Sequence, residues 1–169
     1  MIRTARLLLR PWRPDDRAPF TALYAEAGIA PSDSQALLDY FTTCWAEHGV
    51  CYGAVERATD GAFLGMAGLA PRQEGAPAET PACEIGWAIA RAHQGHGYAL
   101  EAARGWLAHA FGPLAVPDVT ALVATENTAS RALALRLGFT PAHALSGHPD
   151  TCYRLSRAHW HAQAEGALL

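Results

Sequence analysis

A chain of 169 residues, half of them hydrophobic, suits a single compact domain with a substantial core. A net charge of −3 gives no basic footprint, which argues against nucleic acid as a partner. All 13 basic residues are Arg and none is Lys, so an anion site must use guanidinium groups, backbone N–H groups or helix N-termini.

The elements follow in order. "ARLLLRPW" (5–12) reads as a strand stopped by Pro11, and "PDDRAPFTALYAEAG" (14–28) as a helix opened by Pro and two Asp, with Gly28 beyond its end. "SDSQALLDYFTTCWAEHG" (32–49) is a second helix. Ser32 or Asp33 is its expected cap, and Leu37, Leu38, Phe41 and Trp45 recur at helical spacing up to Gly49. Asp60-Gly61 between two apolar runs marks a hairpin across 50–70. A Pro/Gly/Glu-rich loop (70–81) precedes an apolar strand, 82–90. A helix from about Gly97 follows, with Leu100, Ala103, Leu107, Ala110 and Phe111 on one face. Residues 119–125 form a β-branched, buried strand, 127–138 a short helix ending on Gly138, and 139–145 and 151–157 the last two strands. Residues 157–169 are expected as a C-terminal tail carrying His159 and His161.

The four cysteines match no zinc spacing and form no disulfide framework, so they are expected as reduced thiols. "MIRTARLLLR" intersperses charge among its leucines and is no secretory signal, and no apolar run approaches a membrane span. The expected setting is the cytoplasm, without membrane or nucleic acid.

The turn "ARAHQGHGYALEAARG" (90–105) places Gly95 and Gly97 between a strand and a helix. Backbone N–H groups gathered there, at the positive end of a helix dipole, suit a diphosphate. A plain capped turn answers to the same residues, and His93 with His96 gives a weaker metal reading. Walker and Rossmann patterns both fail: there is no Lys, and the string is G-x-G-Y-A-L. At the next helix start, "ATENTASRALALRLGF", Asn127 can cap the helix or aim its amide at a ligand, with Ser130 three residues on.

Gln94-x-x-Gly97-x-Ala99 followed by Glu126-Asn127-x-x-Ser130 and Leu137-Gly138-Phe139 resembles the GNAT acyl-CoA-dependent N-acetyltransferases across roughly 4–156. With "TARLLLRPWRPDDRAPF", it is most similar to the branch that includes the ribosomal-protein N-terminal acetyltransferases. The resemblance implies a single mixed α/β domain over 1–169, with a mostly antiparallel sheet of six to seven strands splayed in a V and about four flanking helices. It implies acetyl-CoA as cosubstrate, no metal, and a monomer or homodimer. The pantetheine arm would pair with Trp87, Ala88 and Ile89, and the diphosphate would meet Gln94, Gly95, His96, Gly97, Tyr98 and Ala99. Asn127 would hold the arm, and Ser130 would lie near the sulfur. Arg91 and Arg131 are candidates for the remaining phosphate charge.

In the implied reaction an amine attacks the thioester directly. A backbone N–H near Ile89 would stabilise the oxyanion, Glu84 would act as base through water, and Ser130 as acid. Many family members carry a Tyr four residues before the Gly of Leu-Gly-Phe, where this chain has Ala134. The acceptor is expected to be a protein or peptide α-amine or a small amino compound, in a cleft walled by loops near 28–34, 70–81 and 145–151, with Glu74 and Glu79 attracting a cation. An acyl-CoA-binding sensor or a catalytically impaired relative is the alternative that the missing Tyr suggests.

Overall fold

The structure, a computed structural model, describes residues 1–71, 83–142 and 151–166. Eight strands hydrogen-bond in the order β1-β2-β3-β4-β5-β6-β8-β7. They are β1 (Ile2–Arg3), β2 (Leu7–Arg10), β3 (Tyr52–Arg57), β4 (Phe63–Pro71), β5 (Cys83–Ile89), β6 (Asp118–Val123), β7 (Thr140–Pro141) and β8 (Thr151–Ser156). The helices are α1 (Arg17–Ala25), α2 (Pro31–His48), α3 (Tyr98–Phe111), α4 (Thr128–Arg136) and α5 (Arg157–Gly166). The described registers are antiparallel except β5–β6, which is parallel. α3 lies between those two strands in sequence, as a parallel connection requires.

The sheet exceeds the expected six or seven strands by β1, a two-residue pairing too short to leave a periodic signal. The strand expected over 139–145 begins with the short β7, and Ala142 N–H extends its pairing to Cys152 O; residues 143–150 lie outside the described chain. Among the described residues there are five helices rather than about four, because residues 157–166 form α5. Its signal was present in the sequence: Ser156 Oγ accepts the His159 N–H at 3.2 Å, as an N-cap does. α2 is capped two residues before Ser32, the earlier of its expected caps. Ala30 stands at the cap without a side-chain bond, and Pro31 presets the first helical φ.

The chain packs as two compact units, residues 1–70 with 86–106 and residues 71–85 with 107–169. In the first, α1 and α2 cover a core of Phe20, Leu23, Leu38, Phe41, Cys44, Cys51 and Met66. The indoles of Trp12 and Trp45 both donate to Tyr52 O at 2.8 Å, which fixes the start of β3. Arg10 is buried with Asp16 in a bidentate pair at 2.7 and 2.9 Å, and its Nε reaches Glu56 at 2.6 Å. Burial alone would raise Asp16, but the Arg10 and Arg13 hydrogen bonds hold its carboxyl below the usual range. In the second unit, Val119, Ala121, Val123, Ala134, Leu137, Phe139, Tyr153 and Leu155 are buried, and Arg154 pairs with Asp118 at 2.6 Å. All four cysteines are free and buried. Among the described residues no helix is long and apolar enough to cross a membrane.

Candidate active site

The first set of candidate residues grows out of β5. Cys83, Ile85 and Ile89 are buried, while Glu84, Gly86, Trp87 and Ala88 are half-buried. The tip of the Tyr52 ring stands against Gly86, where a Cβ would meet it at 2.9 Å. Past Ile89 the chain makes one 3-10 turn, Arg91–His93, and Gln94 folds back so that its Nε2 donates to Ile89 O at 2.8 Å. Gly95 and Gly97 both have φ of 78°, the left-handed conformation that L side chains resist.

α3 starts there, with Glu101 N–H donating to Gly97 O at 3.1 Å. Residues 94–97 are exposed. Among the described residues, no hydrogen bond takes up the N–H of Gly95, His96, Gly97, Tyr98 or Ala99. A cluster of outward donors at a helix N-terminus is an anion cradle in its chemistry.

The exposed side chains of Gln94 and His96 bond back to the local backbone. His96 Nδ1 stands 2.7 Å from Gln94 O, so that nitrogen carries its proton, and the ring stacks on Tyr98 at 5.7 Å. Arg91, a candidate for phosphate charge, uses Nη2 on Glu26 O at 3.1 Å, and its N–H meets the Glu26 carboxylate. Sequence reasoning missed what stands behind the turn. Arg6 donates from Nε to Glu101 at 2.6 Å and from Nη1 to His96 O at 3.0 Å, and its guanidinium lies 4.8 Å from the centre of the Tyr98 ring. The available signal was Glu101, an acid in the first turn of a helix. Arg57, half-buried and paired with Asp60 at 2.7 and 2.9 Å, has its pKa pushed up by Asp60 and then by the Tyr98 hydroxyl.

The second set of candidate residues belongs to the other unit and is described by itself. Asn127 does cap α4: its Oδ1 accepts the Ser130 N–H at 3.0 Å, and Arg131 N–H donates to Asn127 O. Asn127 is exposed and Ser130 half-buried. Arg131, the other phosphate candidate, donates from Nε to the Tyr153 hydroxyl at 3.1 Å and from Nη1 to Thr125 O at 3.2 Å. Ala134 is fully buried. Glu84, half-buried on β5, stands at the register position of Thr120 on β6, and its charge helps to raise the buried Cys152 thiol after desolvation. The described β5–β6 register covers Cys83↔Val119 and Glu84↔Thr120. Glu74 and Glu79 lie outside the described residues, as does most of the expected loop wall at 70–81 and 145–151.

A model of the acetyltransferase (GNAT) domain matches residues 6–140. The chain belongs to the GNAT acetyltransferase family. This GNAT chain is similar to an acetyltransferase from Agrobacterium tumefaciens str. C58, at 27% identity and TM-score 0.79, over 91% of this chain and 92% of that one. It shares its fold with Mycobacterium smegmatis RimJ, solved with CoA-disulfide, at 23% identity and TM-score 0.69, over 94% and 89% of the two chains. The Bacillus subtilis protein YkkB is 36% identical over 91 residues, 54% of this chain and 51% of that protein, so the GNAT match spans about half the length of this curated relative.

Proposed function

We propose that the protein transfers an acetyl group from acetyl-CoA to a primary amine. The observation that carries this reading is the Gly95–Gly97 turn, whose N–H groups find no acceptor among the described residues, inside a span that matches the GNAT model. In this reading the amides of residues 95–99 hold the diphosphate, with Gln94 bracing the turn from behind. β5 continues five residues past its described register with β6, and the backbone of Trp87, Ala88 and Ile89 pairs with the pantetheine amides. Asn127, beyond its capping role, offers its amide to the same arm.

The amine nitrogen bonds to the thioester carbon and the C–S bond then breaks. A backbone N–H near Ile89 stabilises the oxyanion, sulfur leaves as thiolate, and the ammonium proton passes through water to Glu84. Ser130 supplies a hydroxyl to the thiolate. With Ala134 buried where many relatives place Tyr, no phenol reaches out from that position of α4. Because the base acts indirectly, an amine that is partly neutral is favoured. An α-amine of pKa ~7.7–8.0 is about a tenth neutral at pH 7, and a lysine near 10.4 well under about one in a thousand. A protein or peptide α-amine, or a small amino compound of low pKa, is therefore the proposed acceptor.

The test is CoA release from acetyl-CoA with peptides of varied N-terminal residue, polyamines and aminoglycosides. Turnover on at least one α-amine, with Glu84→Gln lowering kcat by about tenfold or more, supports the reading. The buried Ala134 favours one alternative, an acyl-CoA sensor, and tight CoA binding without turnover on any amine would establish it.

A further inference from the structure

We propose that Arg6, latched by Glu101 and Thr4, is a positioning residue that fixes the glycine turn in its donor-outward conformation and so preorganises coenzyme A binding. The inference rests on reading the turn as the diphosphate cradle.

Glycine permits the left-handed conformation but does not enforce it, and a turn with two such residues loses more freedom on ordering than any other composition. Something must hold it if the cradle is to bind without first paying that entropy. The rigid peptide plane shows what does. In a trans peptide the carbonyl of one residue and the N–H of the next point in opposite directions, so gripping the carbonyl aims the N–H.

Three carbonyls of the turn are gripped by the protein's own donors. Gln94 O is taken by His96 Nδ1 at 2.7 Å, which aims the Gly95 N–H. Gly97 O is taken by the Glu101 N–H at 3.1 Å, which aims the Tyr98 N–H. His96 O is taken by Arg6 Nη1 at 3.0 Å, which aims the Gly97 N–H. Of the three latches, only Arg6 comes from outside the segment 94–101. It is itself held: Nε bonds Glu101 Oε2 at 2.6 Å, its backbone N–H bonds Oε1 at 2.7 Å, and Thr4 Oγ1 donates to the same oxygen at 2.6 Å. Its Nη2 lies 3.6 Å from where a Gly97 Cβ would stand.

The pair with Glu101 leaves Arg6 locally compensated, so its service to an anion is orientation rather than net charge. This separates the two roles experimentally. If Arg6 were a phosphate-attracting charge, Glu101→Gln would free it and tighten binding. As a latch, it needs Glu101, and the same substitution loosens binding.

The experiment measures CoA and pantetheine affinity by calorimetry, and acetyl-CoA kinetics, for wild type, Arg6→Ala, Arg6→Lys, Glu101→Gln and the Arg6→Ala/Glu101→Gln double variant. Arg6→Ala and Glu101→Gln are each expected to weaken CoA by about tenfold, and the double variant by no more than the larger single change, because they share one latch. KM for acetyl-CoA rises while kcat at saturation stays within about twofold. Pantetheine, which lacks the diphosphate, binds all variants alike. Lysine does not rescue, since an ammonium cannot meet a carboxylate and a carbonyl from one plane. Should Arg6→Ala fold poorly, Thr4→Val is the milder probe and is expected to weaken CoA by about threefold. Tighter CoA binding by Glu101→Gln, additive losses, full rescue by Lys, or unchanged affinity throughout would each overturn the inference. Wild-type protein that ignores CoA would sink the cradle reading itself, a separate failure.

Discussion

α3 and α4 begin with the same physical problem and answer it in opposite ways. Every helix starts with N–H groups that have no partner inside the helix. α4 spends a side chain on them: Asn127 Oδ1 takes the Ser130 N–H at 3.0 Å. α3 has glycine where a cap would stand, and the N–H groups of Gly95 through Ala99 have no acceptor among the described residues. The protein instead commits its side chains to the back of the α3 turn, gripping carbonyls through His96 and Arg6. A helix start that is satisfied contributes stability. One whose donors are left open, and whose carbonyls are held, contributes a binding site at some cost in stability.

The largest expected effect comes from closing that opening. Replacing Gly95 and Gly97 together by Ala places side chains in a left-handed conformation that costs about 1–2 kcal/mol per residue. It is expected to weaken CoA by about a hundredfold in calorimetry, while leaving α4 and its cap untouched. If affinity is unchanged, the contrast between the two helix starts has no functional meaning.

An intermediate effect belongs to α4. Asn127→Ala removes the cap and is expected to cost about 1 kcal/mol in stability. In thermal melts that lowers Tm by about 2–4 °C for a protein of this size. Asn127→Asp keeps the accepting oxygen and loses the amide donor, so Tm is expected to hold while KM for acetyl-CoA rises about fivefold. If both variants shift only Tm, Asn127 is a cap alone and the α4 end contributes structure rather than binding.

The smallest effect is a pH dependence. Burial alone would raise Glu101, but hydrogen bonds from Thr4 and Arg6 outweigh it and hold the carboxyl below its usual range. A depressed folded-state pKa means the contribution is complete above the ordinary carboxylate pKa and is lost as pH falls through the lower folded value. Urea unfolding of the wild type is expected to lose this stabilisation on the acid side, and Glu101→Gln is expected to lack that component. Identical acid limbs for the two proteins would show the latch to be energetically idle.

How much of this was legible in the sequence follows from how local each signal is. The hairpin at Asp60-Gly61, the Gly49 end of α2 and the glycine turn each rest on a few neighbouring residues, and Gly49, Gly61, Gly95 and Gly97 all adopt positive φ. The Asn127 cap was equally readable. What escaped was long-range or very short. Arg6 and Glu101 are 95 residues apart, and nothing in either neighbourhood announces the other. β1 has two residues, below any periodic signal. α5 falls in the expected tail, where alanines and histidines carry no apolar stripe, although Ser156 stands ready as its cap. Arg91 and Arg131 looked like free cations in the sequence; folding commits Arg91 to Glu26 and Arg131 to Tyr153.

The most direct measurement is the amide NMR spectrum of Gly95, His96, Gly97, Tyr98 and Ala99 during titration with CoA and, separately, with pantetheine. The account predicts that CoA moves these five resonances more than any others and slows their exchange with solvent, and that pantetheine does neither. If CoA binds and leaves the five amides unmoved, the diphosphate is held somewhere else and the account is wrong.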